Sequence, residues 1–290
     1  MSSKTAIQWT DSTWSTITGC ERISPGCANC YAEYWTATRL KESPKYRGLA
    51  VITAAGQPHW TGEIRLHEDE LQKPLHWKRP RRIFVNSMSD TFHRDVPDEF
   101  LDLMFAVMAL CPQHQFQVLT KRADRMQRYW NDGHRNGRGE HTANYVVRNL
   151  CNFTDDIYRM DEASNLGGHW PPNVQAGVSV ENQAAADERI PLLLQTPAAV
   201  RWLSMEPLLE PVDLWQYLQK DMPRVDWVVV GCESGPHARP MGLDWGARSI
   251  RYQCRDAGVP FFMKQLSVRG RVTGNIDDFP KDLRIREYPT

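Results

Sequence analysis

The chain lacks a net charge, a long apolar run and an internal repeat. Its 290 residues carry 35 Lys+Arg against 35 Asp+Glu. Proteins that coat nucleic acid nonspecifically usually show a strong basic excess, so that class is disfavoured, although a local basic groove is compatible with a neutral total. The longest strongly apolar stretch, Phe100 to Cys111, is about a dozen residues, is broken by Asp102, and is too short to span a membrane. The residues from Met1 to Trp9 lack the apolar core of a secretory signal, which leads to the expectation of a reducing cytoplasm. No solenoid period or low-complexity tract is present. The seven cysteines are odd in number. Complete disulfide pairing is therefore excluded, and thiols or metal ligands are expected in their place.

What is present is an alternation of short apolar runs with amphipathic stretches. Candidate strands are Arg82 to Asn86, Phe116 to Thr120, Val174 to Val180, Val200 to Ser204, Trp227 to Gly231 and Pro260 to Lys264. Candidate helices follow most of them, at Asp98 to Leu110, Ala123 to Trp130, Gln183 to Leu194, Asp213 to Gln219 and Asp244 to Ala257. Gly258 stands after the last where a helix-ending glycine belongs. A segment from Trp14 to Thr18, a cysteine-containing loop and a helix from Tyr31 to Leu40 would form the first unit. Repeated strand and helix units with nearly all-apolar strands indicate an α/β protein with a parallel sheet covered on both faces. Their number suits a (β/α) barrel, complete or partial, in one domain over residues 1–290, with an open doubly wound sheet as the structural alternative. Two segments interrupt the alternation, at 43–78 and 131–172. The first reads as a hairpin or loop, and the second as a polar, Gly-rich stretch followed by a helix from Thr142 to Met160.

In parallel α/β folds, functional groups gather at the carboxyl ends of the strands. Those ends are polar here: Asn86 to Asp90, Thr120 to Arg122, Ser179 to Asn182, Ser204 to Pro207, Gly231 to Pro236, and Lys264 with Gln265. Asp90, Glu181, Glu206, Glu233 and Lys264 are thus expected around one mouth. Taken singly, Asp90, Asn182 and Ser234 also suit helix caps. Cys20, Cys27 and Cys30 lie in a loop bent by Pro25 and Gly26, which can turn three thiolates toward one point. They suit either a zinc site completed by a remote histidine such as His93, or an iron-sulfur cluster with one iron left open. Cys111, Cys151 and Cys254 read as buried small hydrophobes. Cys232 is a fourth ligand, a reactive thiol or, by preference, a small residue in a tight turn.

The motif around these cysteines, from Trp14 through Thr18, Cys20, Ser24, Gly26, Cys27, Asn29 and Cys30 to Glu33, resembles a signature of phage-encoded and bacterial proteins. That family has no assigned activity and is described as radical-SAM-like. The resemblance continues through Phe84 to Asp90, Leu119 to Arg122, Gly177 to Asn182, Leu203 to Leu208, Val229 to Pro236, Ala238 to Met241 and Pro260 to Gln265. It implies a barrel of the radical-SAM type whose cysteine loop carries a [4Fe-4S] cluster on Cys20, Cys27 and Cys30. The cluster binds S-adenosylmethionine (S-adenosyl-L-methionine) and, once reduced by a carrier such as a flavodoxin or ferredoxin, cleaves it to start radical chemistry. On the same resemblance, Ser87, Ser89, Asp90, Ser179, Glu181 and Asn182 are expected to contact the cofactor, and Glu206, Glu233 and Lys264 the substrate or the methionine carboxylate. The competing reading is a non-catalytic metal-binding barrel that acts as a binding or regulatory protein. Lys78 to Arg82, together with Lys121, Arg122, Arg125, Arg128, Arg135 and Arg138, interleaves with Trp77, Tyr129 and Trp130. This pattern suits a nucleic-acid substrate or, more plainly, a solvated helix face. Eleven Trp is a high count for this length, and some are expected to line a cleft.

Overall fold

The computed structural model describes residues 5–131, 170–220, 223–235 and 237–289. In chain order its strands are β1 (Ser12–Trp14), β2 (Ile17–Thr18), β3 (Ala50–Ile52), β4 (Pro58–Trp60), β5 (Arg65–Leu66), β6 (Arg82–Val85), β7 (Gln115–Thr120), β8 (Val174–Ser179), β9 (Arg201–Met205), β10 (Trp227–Gly231), β11 (Phe261–Val268) and β12 (Arg271–Thr273). Its α-helices are α1 (Tyr31–Ala37), α2 (Glu68–Leu71), α3 (Asp98–Ala109), α4 (Ala123–Asn131), α5 (Gln183–Leu194) and α6 (Ser249–Ala257). The main sheet runs β1-β6-β7-β8-β9-β10-β11-β12. All neighbours pair in parallel except the last, where β12 returns antiparallel on β11. Strand order follows chain order without the reversal that marks a doubly wound sheet. The architecture is therefore a partial (β/α) barrel.

The curl of the sheet follows from its inner face. Phe84 on β6, Trp202 on β9, Trp227 and Val229 on β10 and Phe262 on β11 form one cluster with Trp9. The Trp9 ring lies 4.6 Å from Phe84 and 5.1 Å from Trp202. A flat sheet would hold β6 and β9 three strands apart, so these contacts require it to close on itself. The alternate residues, among them Ile83, Val85, Val118, Val178, Leu203, Val230 and Met263, face outward into the larger core under the helices. Three of the tryptophans thus plug the amino-terminal end of the barrel and leave the carboxyl end to polar residues. The plug demands a glycine: a Cβ on Gly177 would sit 2.3 Å from Trp202 Cε2. Gly177→Ala is expected to destabilise the fold by about 1–3 kcal/mol, read as a lower urea midpoint with unchanged slope.

The expected strands and most of the helices are present, and Gly258 ends α6 in the left-handed conformation at φ 64°. Three differences have local causes. The segment expected as one strand from Trp14 to Thr18 is split, because the Asn86 side chain accepts the N–H groups of Thr16 and Ile17 at 2.9 and 3.1 Å. That turns Ile17 and Thr18 away from the barrel to pair with β5. The helix expected over Asp213 to Gln219 is only a 3-10 turn at Trp215–Tyr217, in a short connection bounded by Pro211 and Pro223. The helix expected from Asp244 begins as a wide π turn at Leu243–Arg248, at a stretch containing Gly242 and Gly246. The insert at 43–78 holds the β3–β4 hairpin, β5, α2 and a 3-10 turn at Lys73–His76. The insert at 131–172, with its helix from Thr142 to Met160, falls mostly outside the described residues. Among the described residues, no helix is long and apolar enough to cross a membrane.

Candidate functional site

The cysteine loop leaves β2 at Gly19, whose φ of 89° and close approach to the Glu63 carbonyl admit no side chain. It ends at Cys30, which caps the amino end of α1. Cys20, Cys27 and Cys30 are all free and partly exposed. Cys20 and Cys30 pack beside a small cluster that contains Ala32, Leu49, Trp60 and Met88. Burial and the nearby Asp90 charge push the Cys20 thiol up. Burial also raises Cys30, against the lowering influence of the Glu33 and Ala32 N–H groups. Beneath the loop, the buried Glu33 carboxylate accepts Arg22 Nε at 2.9 Å and the Trp60 N–H at 2.7 Å, tying the loop and α1 to β4.

The loop is also fastened to the carboxyl ends of the parallel strands. After β10, Glu233 accepts Asn29 Nδ2 at 2.8 Å and the Arg239 N–H and Nε at 2.8 and 2.9 Å. Arg239 in turn donates to the Pro25 carbonyl at 3.0 Å. Burial alone would raise the Glu233 carboxyl, but Arg239 and Asn29 bring it below the usual carboxylate range. After β7, Lys121 and Arg122 reach three acids between them. Lys121 Nζ donates to Glu181 at 2.8 Å, and Arg122 lies 3.0 Å from Asp90 and 3.3 Å from Glu21 in the loop. Gly26 sits against the first pair: a Cβ there would lie 2.9 Å from Lys121 Nζ and 3.1 Å from Glu181 Cδ. The three thiols are therefore carried on a loop seated directly on the mouth of the barrel.

The cofactor residues expected from sequence take distinct positions. Glu181 is fully buried, and its Oε2 accepts both Lys121 and Arg189, the latter at 2.9 Å. Its Oε1 is buried with no hydrogen-bond partner among the described residues. Burial opposes ionisation, but the two cations, with Ser24 nearby, hold its carboxyl at about 2. Asp90 is saturated: Oδ1 accepts the Phe92 N–H and Thr120 Oγ1, and Oδ2 accepts the Lys121 N–H and Arg122. That arrangement suits a positioning residue better than the direct cofactor contact expected of it. Ser89 Oγ donates to the Ile17 carbonyl at 2.8 Å. Asn182 caps α5 through the Ala185 N–H at 2.8 Å. The Ser87 carbonyl accepts the Tyr31 hydroxyl, and the Ser179 carbonyl accepts Arg189.

Of the residues expected to carry catalysis, Lys264 and Glu206 form a close ion pair, with side chains 13% and 18% exposed. Glu233 faces the cysteine loop instead. Cys232 is buried, with its backbone bonded to Gln265 in both directions, and burial with the nearby Glu206 charge pushes its thiol up to about 12. Cys111 and Cys254 lie in the core, and Cys151 falls outside the described residues. The partners that sequence reasoning missed are mostly cations: Arg22, Arg189 and Arg239, together with Lys121 and Arg122, which read there as a basic flank. A buried carboxylate requires a counter-charge, but nothing in the local pattern says which arginine supplies it.

Part of that basic flank is paired. Arg125 bonds Asp98, Arg128 bonds Asp124, and Arg82 bonds Asp11. Tyr129 and Trp130 pack with Phe105. Arg135 and Arg138 lie outside the described residues. Among the described residues, no three His, Cys, Asp or Glu side chains are grouped so as to share one metal ion. The fold is similar to a solved structure of a spore photoproduct lyase point mutant, at 12% identity and a TM-score of 0.41; the similarity covers 87% of this chain and 63% of that one. No curated protein matches the sequence. A family model described as "Protein of unknown function (DUF5131)" matches residues 4–274, nearly the whole length, and the chain belongs to that family.

Proposed function

We propose that this chain is a radical-SAM-type enzyme of the reducing cytoplasm, built as one barrel domain. In this reading Cys20, Cys27 and Cys30 hold a [4Fe-4S] cluster, and S-adenosylmethionine lies across the strand ends. The observation that carries it is the seating of a three-thiol loop on the carboxyl ends of a parallel barrel, beside a buried carboxylate with one oxygen that has no hydrogen-bond partner among the described residues. The donor set fits the group. A four-iron cluster takes each thiolate on a separate iron, so its ligands need not meet at one point as zinc ligands must. When bound and reduced by an external electron carrier, the cluster supplies the electron that cleaves the sulfonium of S-adenosylmethionine.

The protein's own residues bind, orient and exclude water. Lys121 and Arg189, with Ser24 beside them, keep Glu181 ionised, and its Oε1, buried against Gly26 without a hydrogen-bond partner among the described residues, suits an ammonium or a pair of ribose hydroxyls. Ser87, Ser179 and the amide nitrogen of Asn182 add polar groups at neighbouring strand ends. The Lys264–Glu206 pair is assigned to the substrate or to the methionine carboxylate. Glu233 acts as a positioning residue, because its acceptor capacity is spent on Asn29 and Arg239. Anaerobic purification and reconstitution are expected to give a brown protein with about four irons and matching sulfide per chain. Reduction with S-adenosylmethionine present should release 5′-deoxyadenosine, and Cys30→Ala should abolish both signals. One zinc per chain with no sulfide would overturn the reading in favour of a metal-binding barrel.

A further inference from the structure

We propose that the outer face of α1 is a binding track for single-stranded nucleic acid leading into the mouth. As the identity of the substrate, this rests on the enzymatic reading above; as a binding surface, it does not. Tyr31 and Trp35 lie four residues apart on α1, the spacing that places side chains along one helical face, and Arg39 follows in the turn after the helix ends. The Tyr31 and Trp35 rings stand 5.5 Å apart, and the Arg39 guanidinium lies 5.7 Å from the Trp35 ring centroid. The row starts at the mouth, where the Tyr31 hydroxyl bonds the Ser87 carbonyl at the end of β6.

Two features set this face apart from an ordinary helix surface. Its aromatics point outward: Tyr31, Tyr34 and Trp35 are 37–40% exposed, whereas Ala32, Glu33, Thr36 and Ala37 fill the buried side. Exposed rings with an adjoining guanidinium form the stacking surface that unpaired bases occupy, and every base offers the same π face to it. The surrounding charge is also complementary to phosphate. Arg39, Lys41 and Arg47 are exposed and form no ion pair among the described residues, and one exposed acid, Glu42, lies between them in the chain. α4 differs, since its cations are paired and its aromatics face the core. The proposed track is thus separate from the basic residues that sequence grouped at Lys78 to Arg82 and Lys121 to Arg138.

Fluorescence anisotropy with a labelled oligothymidylate of about twelve nucleotides tests the track, within the range one such site accommodates. Wild-type protein should bind it more tightly than the matching duplex. Its log–log salt slope should lie at about −1.4 to −2.1, as two or three phosphate contacts give. Trp35→Ala should weaken binding about tenfold or more, and Arg39→Ala should reduce the slope by about 0.7. Iron content and the urea midpoint should be unchanged in both variants. No binding at low salt, or equal binding by Trp35→Ala, overturns the proposal. It is also overturned if Trp35→Ala loses a small acidic electron-carrier protein while oligonucleotide binding is unaffected, since α1 would then be a protein-docking face. Wild-type protein that releases 5′-deoxyadenosine but ignores the oligonucleotide sinks the track alone. Protein that binds the strand but takes up no iron sinks the enzymatic reading alone.

Discussion

Asp90→Ala is expected to destabilise the protein by about 3–5 kcal/mol, the usual cost of removing one partner of a buried ion pair. Asp90 and Arg122 are both almost wholly buried, and the carboxylate accepts four hydrogen bonds, one from Phe92 and three from Thr120 to Arg122. Its loss strips partners from the Lys121 N–H and Thr120 at the end of β7 and leaves Arg122 with only the longer contact to Glu21. The protein cannot recover that energy by solvating Arg122 without opening the end of the barrel. Asp90→Asn keeps one acceptor and should fall between the two. Urea unfolding at neutral pH measures the series, and a loss under about 1 kcal/mol for the alanine variant would show that Asp90 does not bind these strands together. Cys20 lies within the electrostatic reach of Asp90 and Arg122. Losing the Asp90 charge while keeping Arg122 should also lower the Cys20 thiol, read as faster alkylation of that cysteine at fixed pH.

The fold was legible in the sequence wherever burial on both faces left no choice of period. β8 and β10 are buried at every position, and their apolar runs reveal them at once. The caps were equally local, since Asn182 and Gly258 act within a few residues of themselves. Legibility failed where a remote side chain decided the outcome. Asn86 splits the first strand from 70 residues away in sequence, and no pattern within Trp14 to Thr18 records that. At the site, strand-end position identified the acids but not their tasks. Glu233 and Glu181 are both buried carboxylates with arginine partners. Only the three-dimensional arrangement shows that the first is spent on the cysteine loop while the second keeps an oxygen free. The basic flank could not be read fully for the same reason, because sequence counts charges without showing that Arg82, Arg125 and Arg128 are paired. The tryptophans divide similarly: Trp9, Trp202 and Trp227 plug the barrel, and Trp35 alone of those four lies at the open surface.

Glu181→Gln should separate the structural from the binding role of that carboxylate. The ordinary carboxyl value of 4.5 falls to about 2 in the folded protein, held down by Lys121 and Arg189 against the cost of burial. A lowered folded value means that ionised Glu181 stabilises the fold above pH 4.5. That contribution, about 3 kcal/mol at 1.36 kcal/mol per unit, drains away as the pH falls from 4.5 toward 2. The glutamine variant leaves both cations without a counter-charge. It should be less stable than wild type by about that amount at pH 7, and the gap should close across the same acid window. Urea midpoints at pH 7 and at several acid values test this; a gap that persists unchanged to pH 2, or is absent at pH 7, contradicts it. Binding supplies an independent readout, because Oε1 has no hydrogen-bond partner among the described residues. If that oxygen receives the ammonium or ribose hydroxyls of S-adenosylmethionine, the variant should bind the cofactor about ten- to a hundredfold more weakly under conditions where it remains folded. Unchanged affinity in a folded, cluster-loaded variant would confine Glu181 to bracing the barrel mouth through Lys121 and Arg189.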